Sequence, residues 1–391
     1  MIVRQFINWI RTAPAGERAE ATRALARAWL ISDLSEDDRI AAEGALLMLL
    51  DDPSSLVRQA MSEAFARSTE APAAIVQALS GDQASVALPV LEHSPLLIDA
   101  DLVDIVATGD AEVQCAIARR IALPISVCAA IAEVGCAAAA LELIENPYAA
   151  LAPFSWERIV ERHGHLAAIR EAMLVLEDLP AATRTALVAK LSNTLTQFVV
   201  ARNWLSADRA ERVATEARDR STINIAARSR GDEMQDLVHH LRATGQLTAG
   251  LILRALLSGN LELFSAALAE LSEMPLGRVS ALLHDRGGTS LHALLRRAGF
   301  PETTFAAFQV ALEACHEHGF VDSEDGTVRL RRRMVERVLT HCETDRGATD
   351  PLLILLRRFA TESAREEARL FCDELVEEEA NALVYDDLIA A

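Results

Sequence analysis

Apolar residues recur at α-helical spacing along most of the chain, in segments separated by short polar turns. Ser35 followed by Asp38 indicates a capping box ahead of the apolar run 40–50, and Asp52-Pro53 ends one helix and begins another. The second half of the chain shows the same helical spacing at Leu261, Phe264, Leu268 and Leu271. The pattern predicts an all-α chain of amphipathic helices joined by short turns.

Three segments of the first half resemble one another. Val57, Val86 and Val113 lie 29 and 27 positions apart, and each follows an acidic turn that contains Asp52, Asp82 or Asp110. Repeats of this length, each a pair of helices, are typical of HEAT-like arrays, in which neighbouring hairpins stack to bury a shared core. We therefore expect a HEAT-like solenoid over residues 15–150. The alternative is a non-repetitive helical bundle with chance similarity between segments.

The helix pattern also predicts how the chain divides. The pattern predicts two long helices, at residues 181–203 and 207–229, and a second set of hairpins follows them. The expected parts are 1–153 with the HEAT-like repeats, 154–235 with the long connecting helices, 236–343 with the second helical-hairpin array, and 344–391 as an acidic helical tail.

One short segment has the pattern of a β-hairpin. Residues 320–322 and 327–330 flank Asp325-Gly326, a dipeptide typical of two-residue hairpin turns. A helix-to-helix turn explains the same residues, so both readings stay open. The predicted fold class is all-α, with at most this one small β-hairpin near 320–330.

Composition and charge narrow the classes of function. Aromatic residues make up only 4% of the chain, and the formal net charge is −19. A chain this acidic repels nucleic-acid phosphates unless it segregates a basic face. Six cysteines without a CxxC pair indicate reduced thiols, and no apolar stretch approaches the ~18 residues of a membrane span. We expect a cytoplasmic protein with no cofactor.

Two groups of segments resemble a known family. The first group comprises Val86-Ala87-Leu88-Pro89-Val90-Leu91, Ser94-Pro95-Leu96-Leu97, Asp99, Asp101-Leu102 and Ala116-Ile117-Ala118-Arg119-Arg120. The second comprises Gly245-Gln246-Leu247-Thr248, Leu253-Arg254-Ala255-Leu256, Ser258-Gly259 and Phe264-Ser265-Ala266-Ala267-Leu268. Together they resemble a proteobacterial domain-of-unknown-function family, number 2336, over about residues 50–315. The resemblance implies a helical, HEAT-like intracellular protein, and it carries over no catalytic residues.

Helix caps and prolines at helix ends account for most residues of the first group. Ser85 is predicted to cap a helix whose first turn contains Pro89, where the missing proline N–H costs least. Arg119 and Arg120 are not explained in this way, because they are adjacent charges on an otherwise apolar helix. Either they pair with the acidic turns of a neighbouring repeat, or they bind an acidic partner or phosphate.

The chain has one concentrated basic run, formed by Arg329, Arg331, Arg332, Arg333 and Arg337. If residues 328–330 were a wing strand, the run could form a winged-helix-like face for nucleic acid. The acidic tail supplies an internal counter-charge, and pairing of the run with that tail is the alternative interpretation.

Two clusters contain residues with catalytic or metal-binding chemistry. Cys315, His318, His341 and Cys342 could converge as zinc ligands, although no CxxC pair anchors them. The segment 284–292 contains histidine, aspartate and serine near a Gly-Gly turn. Core cysteines, surface histidines and helix caps explain both clusters without chemistry, so we expect no catalytic residues and no metal.

The sequence favours a non-enzymatic interaction scaffold or regulatory adaptor with a protein partner. Extended helical arrays bind through surface area and a few anchors, and Trp29, Trp156 and Trp204 are candidates, with core packing as the alternative for each. Binding of nucleic acid through the basic run is the second hypothesis. A metal-dependent or hydrolytic enzyme is the third. Oligomeric state is not indicated.

Overall fold

The structure, a computed structural model, describes residues 8–284, 289–318, 324–345 and 350–390, without the side chains of 318, 324–330, 344–345 and 377–390. The predicted all-α class is confirmed, because the regular elements of the described residues are helices. The β-pairing found in that part of the chain is a single isolated bridge between Leu123 and Ala149.

The chain divides into two compact units, Met1–Leu179 and Pro180–Ala391. The sequence placed the first boundary at residue 153 instead. The helices Pro153–His163 and Ala167–Val175 extend the first unit, because they pack on the hairpin that precedes them.

The first unit is a series of short helices joined by turns of two to seven residues. In chain order they are α1 (Ala15–Ile31), α2 (Glu36–Leu49), α3 (Ser55–Phe65), α4 (Ala73–Ser80), α5 (Ala84–His93), α6 (Asp99–Thr108), α7 (Ala111–Ala118), α8 (Ile125–Val134), α9 (Ala137–Glu145), α10 (Pro153–His163) and α11 (Ala167–Val175).

These helices alternate between two layers. Helices α1, α3, α5, α7, α9 and α11 pack on one another in that order, and α6, α8 and α10 pack in order on the other side. Because short turns join helices of alternate layers, the loops within successive hairpins lie at one edge of the array. One such hairpin cannot bury its apolar face alone, so each stabilises the next.

Two of the three acidic turns between hairpins are held by an arginine of the preceding hairpin, whereas Asp110 of the third accepts from the N–H of Val113. The guanidinium of Arg18 donates to both carboxylate oxygens of Asp52, at 2.9 and 2.8 Å. Arg58 makes the same two-bond contact with Asp82, and these bonds hold the pKa of Asp82 below its ordinary value. The arginine contact thus recurs at two of the three acidic turns seen in the sequence.

The second unit contains longer helices and a larger core. Its helices are α12 (Ala181–Ala201), α13 (Ala207–Ala226), α14 (Gly231–Ala243), α15 (Ala249–Leu257), α16 (Leu261–Ser272), α17 (Leu276–His284), α18 (Thr289–Arg297), α19 (Phe305–His318), α20 (Glu324–Asp345) and α21 (Pro351–Ala390), with a 3-10 turn at Glu302–Thr304 before α19. The two long helices predicted near 181–229 are α12 and α13.

Helix α15 lies at the centre of this unit. Every residue from Leu251 to Leu257 is buried, and α13, α16, α19 and α20 pack around them. An α-helix that is apolar on all sides must be covered by other helices on all sides. The run nevertheless contains one charged residue, Arg254.

Two sequence predictions of local structure are wrong. Residues 327–330, expected as a possible strand, lie within helix α20, where the β-propensity of Thr327 and Val328 is overridden by the tertiary context of that helix. The partner segment 320–322 lies outside the described residues. In the other error, α5 begins at Ala84 with Gln83 as its N-cap, so Ser85 does not cap the helix and Pro89 lies inside it.

Candidate functional site

Arg120 joins two neighbouring loops of the first unit. Its buried guanidinium donates to the carbonyl oxygens of Leu91 and Ser94, with 2.6 Å to Ser94. No carboxylate of the described residues contacts it, and burial lowers the pKa of Arg120. Arg120 therefore fixes the loop 119–124 against the loop 94–98, and it is not available to an external anion.

Asn146 makes the corresponding connection one hairpin later. Its side-chain N–H groups donate to the carbonyl oxygens of Ala118 and Arg120, at 2.7 and 2.8 Å. Leu123 and Ala149 form a parallel bridge between the same two loops. The loops 94–98, 119–124 and 146–152 thus lie side by side. We call this surface, together with the helix starts that follow these loops, the loop edge.

The loop edge presents large apolar side chains to solvent. Each of the three hairpins of the loop edge has at least one such residue, either in its loop or in the first turn of the helix that follows the loop. Ile121 is 73% exposed and Tyr148 60%. The full row is Ile98, Ile121, Ile125, Tyr148 and Phe154. Single exposed apolar residues are ordinary, whereas a contiguous group marks a surface that binds another molecule.

The charges beside this row are mainly acidic. Asp99 and Glu157 are exposed near the starts of α6 and α10, and Glu145 is exposed at the end of α9, just before the loop 146–152. Arg119, the exposed arginine of the predicted pair, forms an ion pair with Glu142 of helix α9, which is in the next hairpin but not in an acidic turn. The apolar row is therefore flanked mainly by acidic side chains.

A hollow of about 620 Å³ adjoins the loop edge at the end of the first unit. Its lining is mostly apolar and includes Leu151, Trp156, Val175 and Leu176. The three tryptophans named as candidate anchors differ in position. Trp29 is a core residue packed edge-on against Phe65, Trp156 lines this hollow, and Trp204 is exposed in the second unit.

The basic run pairs largely with carboxylates of its own unit. Arg331 contacts Glu366 at 2.8 Å, Arg332 contacts Glu336 and Glu367, and Arg337 contacts Glu317. Two of these carboxylates belong to helix α21, the predicted acidic tail. Arg333 is exposed and has no ion pair within the described part of the chain, and the side chain of Arg329 lies outside it.

Among the described residues, the two chemical clusters named from the sequence are not brought together into a site. Cys315 is buried, its thiol donates to the carbonyl oxygen of Leu256, and burial raises its pKa to about 12. A thiol that resists ionisation is a poor metal ligand. Cys342 is buried and His341 exposed, and the described residues contain no group of three metal-binding side chains. The side chain of His318 and most of the Gly-Gly turn after His284 lie outside the description.

An arginine-lined groove lies between α13 and α21 and was not expected from the sequence. Its basic lining is Arg220, Arg357, Arg358, Arg365 and Arg369. Three of these recur at multiples of four residues along α21, a spacing that places them on one helix face and is visible in the sequence. Arg254 was also missed, although it is the one charge in an apolar helix.

Fold and surface together define a protein of two α-helical units, with an apolar loop edge in the first and an arginine-lined groove in the second. The chain belongs to the bacterial family described as "Uncharacterised protein conserved in bacteria (DUF2336)", whose model matches residues 86–346. The family expected from the sequence is thereby confirmed. Comparisons with curated proteins and with solved structures gave no match. Among the described helices, none combines the length and hydropathy that a membrane span requires.

Proposed function

We propose that the protein is a non-enzymatic interaction adaptor whose first unit binds a helical segment of a partner protein along the loop edge. The observation that carries the proposal is the row of exposed apolar side chains on loops that Arg120 and Asn146 hold side by side. A surface built from fixed loops loses little conformational entropy on binding, because its side chains are already positioned.

The spacing of the row indicates the form of the partner. Neighbouring helices within a layer lie about 8–10 Å apart, so successive hairpins present their apolar residues at about that interval. An α-helix advances about 10.5 Å in seven residues. A partner helix with one apolar stripe can therefore contact consecutive hairpins with residues of consecutive heptads.

The surrounding charge indicates the partner's flanks. Asp99, Glu145 and Glu157 are exposed beside the row, and the nearby Arg119 is already paired with Glu142. A helix with lysine or arginine on both sides of its apolar stripe complements this surface, and complementarity of this kind raises the association rate and disfavours acidic competitors.

The hollow next to the loop edge supplies a place for one larger anchor. Trp156 and Leu151 line it, and an aromatic or leucine side chain of the partner would be largely desolvated there. Binding energy is concentrated at such enclosed positions.

The nucleic-acid alternative has no comparable support. Arg331, Arg332 and Arg337 contact carboxylates in the second unit, so the basic run presents much less free charge than its sequence indicated. We do not propose it as the function.

The first experiment removes the apolar row without disturbing the core. In the full-length chain, Ile98→Ser, Ile121→Ser and Tyr148→Ser are combined, and Ile40→Ser with Met48→Ser serves as the control from another exposed position of the same unit. Affinity capture from cells at native expression should recover a partner with wild type and control, and lose it with the triple variant.

The second experiment tests the partner's chemistry directly. A three-heptad peptide with a leucine stripe and arginine flanks should bind wild type, with at least about tenfold weaker binding to the triple variant. The same peptide with glutamate flanks should bind more weakly than the arginine form. Equal binding of the peptide by the triple variant and the control would contradict the proposal.

A further inference from the structure

The groove between α13 and α21 of the second unit is distinct from the loop edge. It has a volume of about 600 Å³ and contains arginines from both helices. Arg358 crosses it to contact Glu216 at 2.7 Å, and Arg357 contacts Glu343. Its size is that of a site for a small molecule, in the range of about 300–1,000 Å³.

Two arginines of the groove have no counter-ion among the described residues. Arg365 and Arg369 are exposed and make no ion pair in the described structure. They lie four residues apart, so their like charges repel each other across one helical turn. This repulsion is relieved when an anion binds between them.

Two of the carboxylates that could neutralise these two arginines are engaged elsewhere. Glu362 and Glu366 each lie three residues before one of them on α21. Glu362 contacts Arg254 at 2.7 Å, and Glu366 contacts both Arg220 and Arg331, at 2.7 and 2.8 Å. The two glutamates line the groove together with Glu216, and the five arginines of the groove outnumber these three carboxylates.

A second layer of arginines holds those glutamates in place. Arg254 is buried on α15, stacks on Phe359 at 4.2 Å, and has its Nε–H buried without an acceptor. The Nε–H of Arg331 is likewise buried and unpaired. A cavity of about 30 Å³, roughly the room for one or two waters, shares Arg220, Glu362 and Glu366 with the groove. The Nε–H groups of Arg254 and Arg331 are therefore hydrogen-bond donors that Glu362 and Glu366 do not satisfy.

We infer that this groove binds a small ligand that carries a diphosphate group. A guanidinium binds a phosphate through two parallel hydrogen bonds, so each exposed arginine of the groove can hold one phosphate group. Arg365 and Arg369 are separated by about 6 Å along the helix axis, so each can contact a different phosphate of one diphosphate. Arg220 faces them from α13.

A small ligand agrees better with the charge of the chain than a nucleic acid does. The net charge of −19 repels a long polyanion over most of its length, whereas a diphosphate fills the groove alone. Free diphosphate and a nucleoside diphosphate share the chemistry that the arginines recognise.

Calorimetry on the full-length chain at low ionic strength tests the inference, with pyrophosphate as the probe. We expect one site per chain, and about tenfold or greater weakening in the double variant Arg365→Gln, Arg369→Gln. The control is Arg278→Gln with Arg333→Gln, which removes two exposed, unpaired arginines from elsewhere in the unit. All four positions are exposed, so melting temperatures should match.

Parallel titrations identify the source of the diphosphate. ADP binding more tightly than pyrophosphate supports a nucleoside diphosphate, and equal affinities support a free diphosphate. Absence of binding for both, or equal binding by the double variant and the control, would overturn the inference. So would a single-stranded oligonucleotide that outcompetes both probes at the same arginines.

Discussion

At the scale of single residues, the two adjacent arginines that follow α7 have different roles. Arg120 is buried and donates to two backbone carbonyls, whereas Arg119 is about half exposed and makes one ion pair with Glu142. Sequence reasoning placed them together because both interrupt an apolar helix. Only the packing of the next loop distinguishes them.

Replacement of Arg120 should therefore be costly. We expect Arg120→Met to lower the free energy of unfolding of the first unit by about 2–4 kcal/mol, because two buried carbonyl oxygens lose charged donors. Arg119→Gln should change it by less than about 0.5 kcal/mol, as is usual for an exposed pair. Urea denaturation followed by circular dichroism measures both. Equal effects of the two variants would show that Arg120 does not hold the loop edge.

Asp219 on α13 should give the second unit an unusual pH dependence. Burial raises its pKa to about 6, against the opposing effect of Arg254 and Arg218. Glu216 and Glu362 add to the increase. A carboxyl group with a raised pKa binds its proton more tightly in the folded state. Its contribution to stability is complete below pH 3.8 and is lost as the pH rises through about 6.

The variant Asp219→Asn cannot ionise, so it does not lose this stability as the pH rises. Relative to wild type, it should gain up to about 3 kcal/mol of stability between pH 4 and pH 7, at about 1.4 kcal/mol per pKa unit. The exposed Asp236, changed to Asn, serves as the control, and thermal melts at several pH values give the measurement. A difference between variant and wild type that does not vary with pH would contradict the assignment.

At the scale of elements, helix α21 should be stable in one part and weakly held in another. Leu352, Leu353, Leu356 and Phe359 are buried, whereas Phe371, Leu375 and Val376 are more than 45% exposed. Hydrogen exchange at amides 368–376 should be at least about tenfold faster than at 352–363. The central residues 251–257 of α15 provide a protected reference. Equal protection along α21 would mean that its outer part is covered in solution.

The sequence was more informative about where helices begin and end than about which side chains meet. Ser35 does cap α2, since its hydroxyl accepts from the N–H of Asp38, and Thr248 caps α15 in the same way. These signals act within one turn and need no tertiary contact. Residues 327–330 show the opposite case, because a local hairpin signal was overridden by the helix that continues through them.

The candidate sites required contacts between distant segments. The pairing of Arg331 with Glu366 joins residues 35 positions apart, and that of Arg254 with Glu362 joins residues 108 apart. No periodicity in the sequence predicts such pairs. The stripe Arg357, Arg365 and Arg369 could have been found from its four-residue spacing, but its excess charge depends on which way Glu362 and Glu366 point.

At the scale of the whole molecule, the division into two units leads to the last prediction. The core of the second unit is assembled entirely from residues between Ala181 and Phe359, and the first unit buries its own set of residues along α1 to α11. A segment that contains its own core and about 180–210 residues is within the size of an independently folding domain.

We expect the fragments 1–179 and 180–391 each to be helical by circular dichroism and to unfold cooperatively in urea. Further, 180–391 should retain the pyrophosphate affinity of the full chain, because every groove residue lies within it. A fragment that is unfolded alone, yet becomes helical when the other is added, would show instead that the two cores depend on each other.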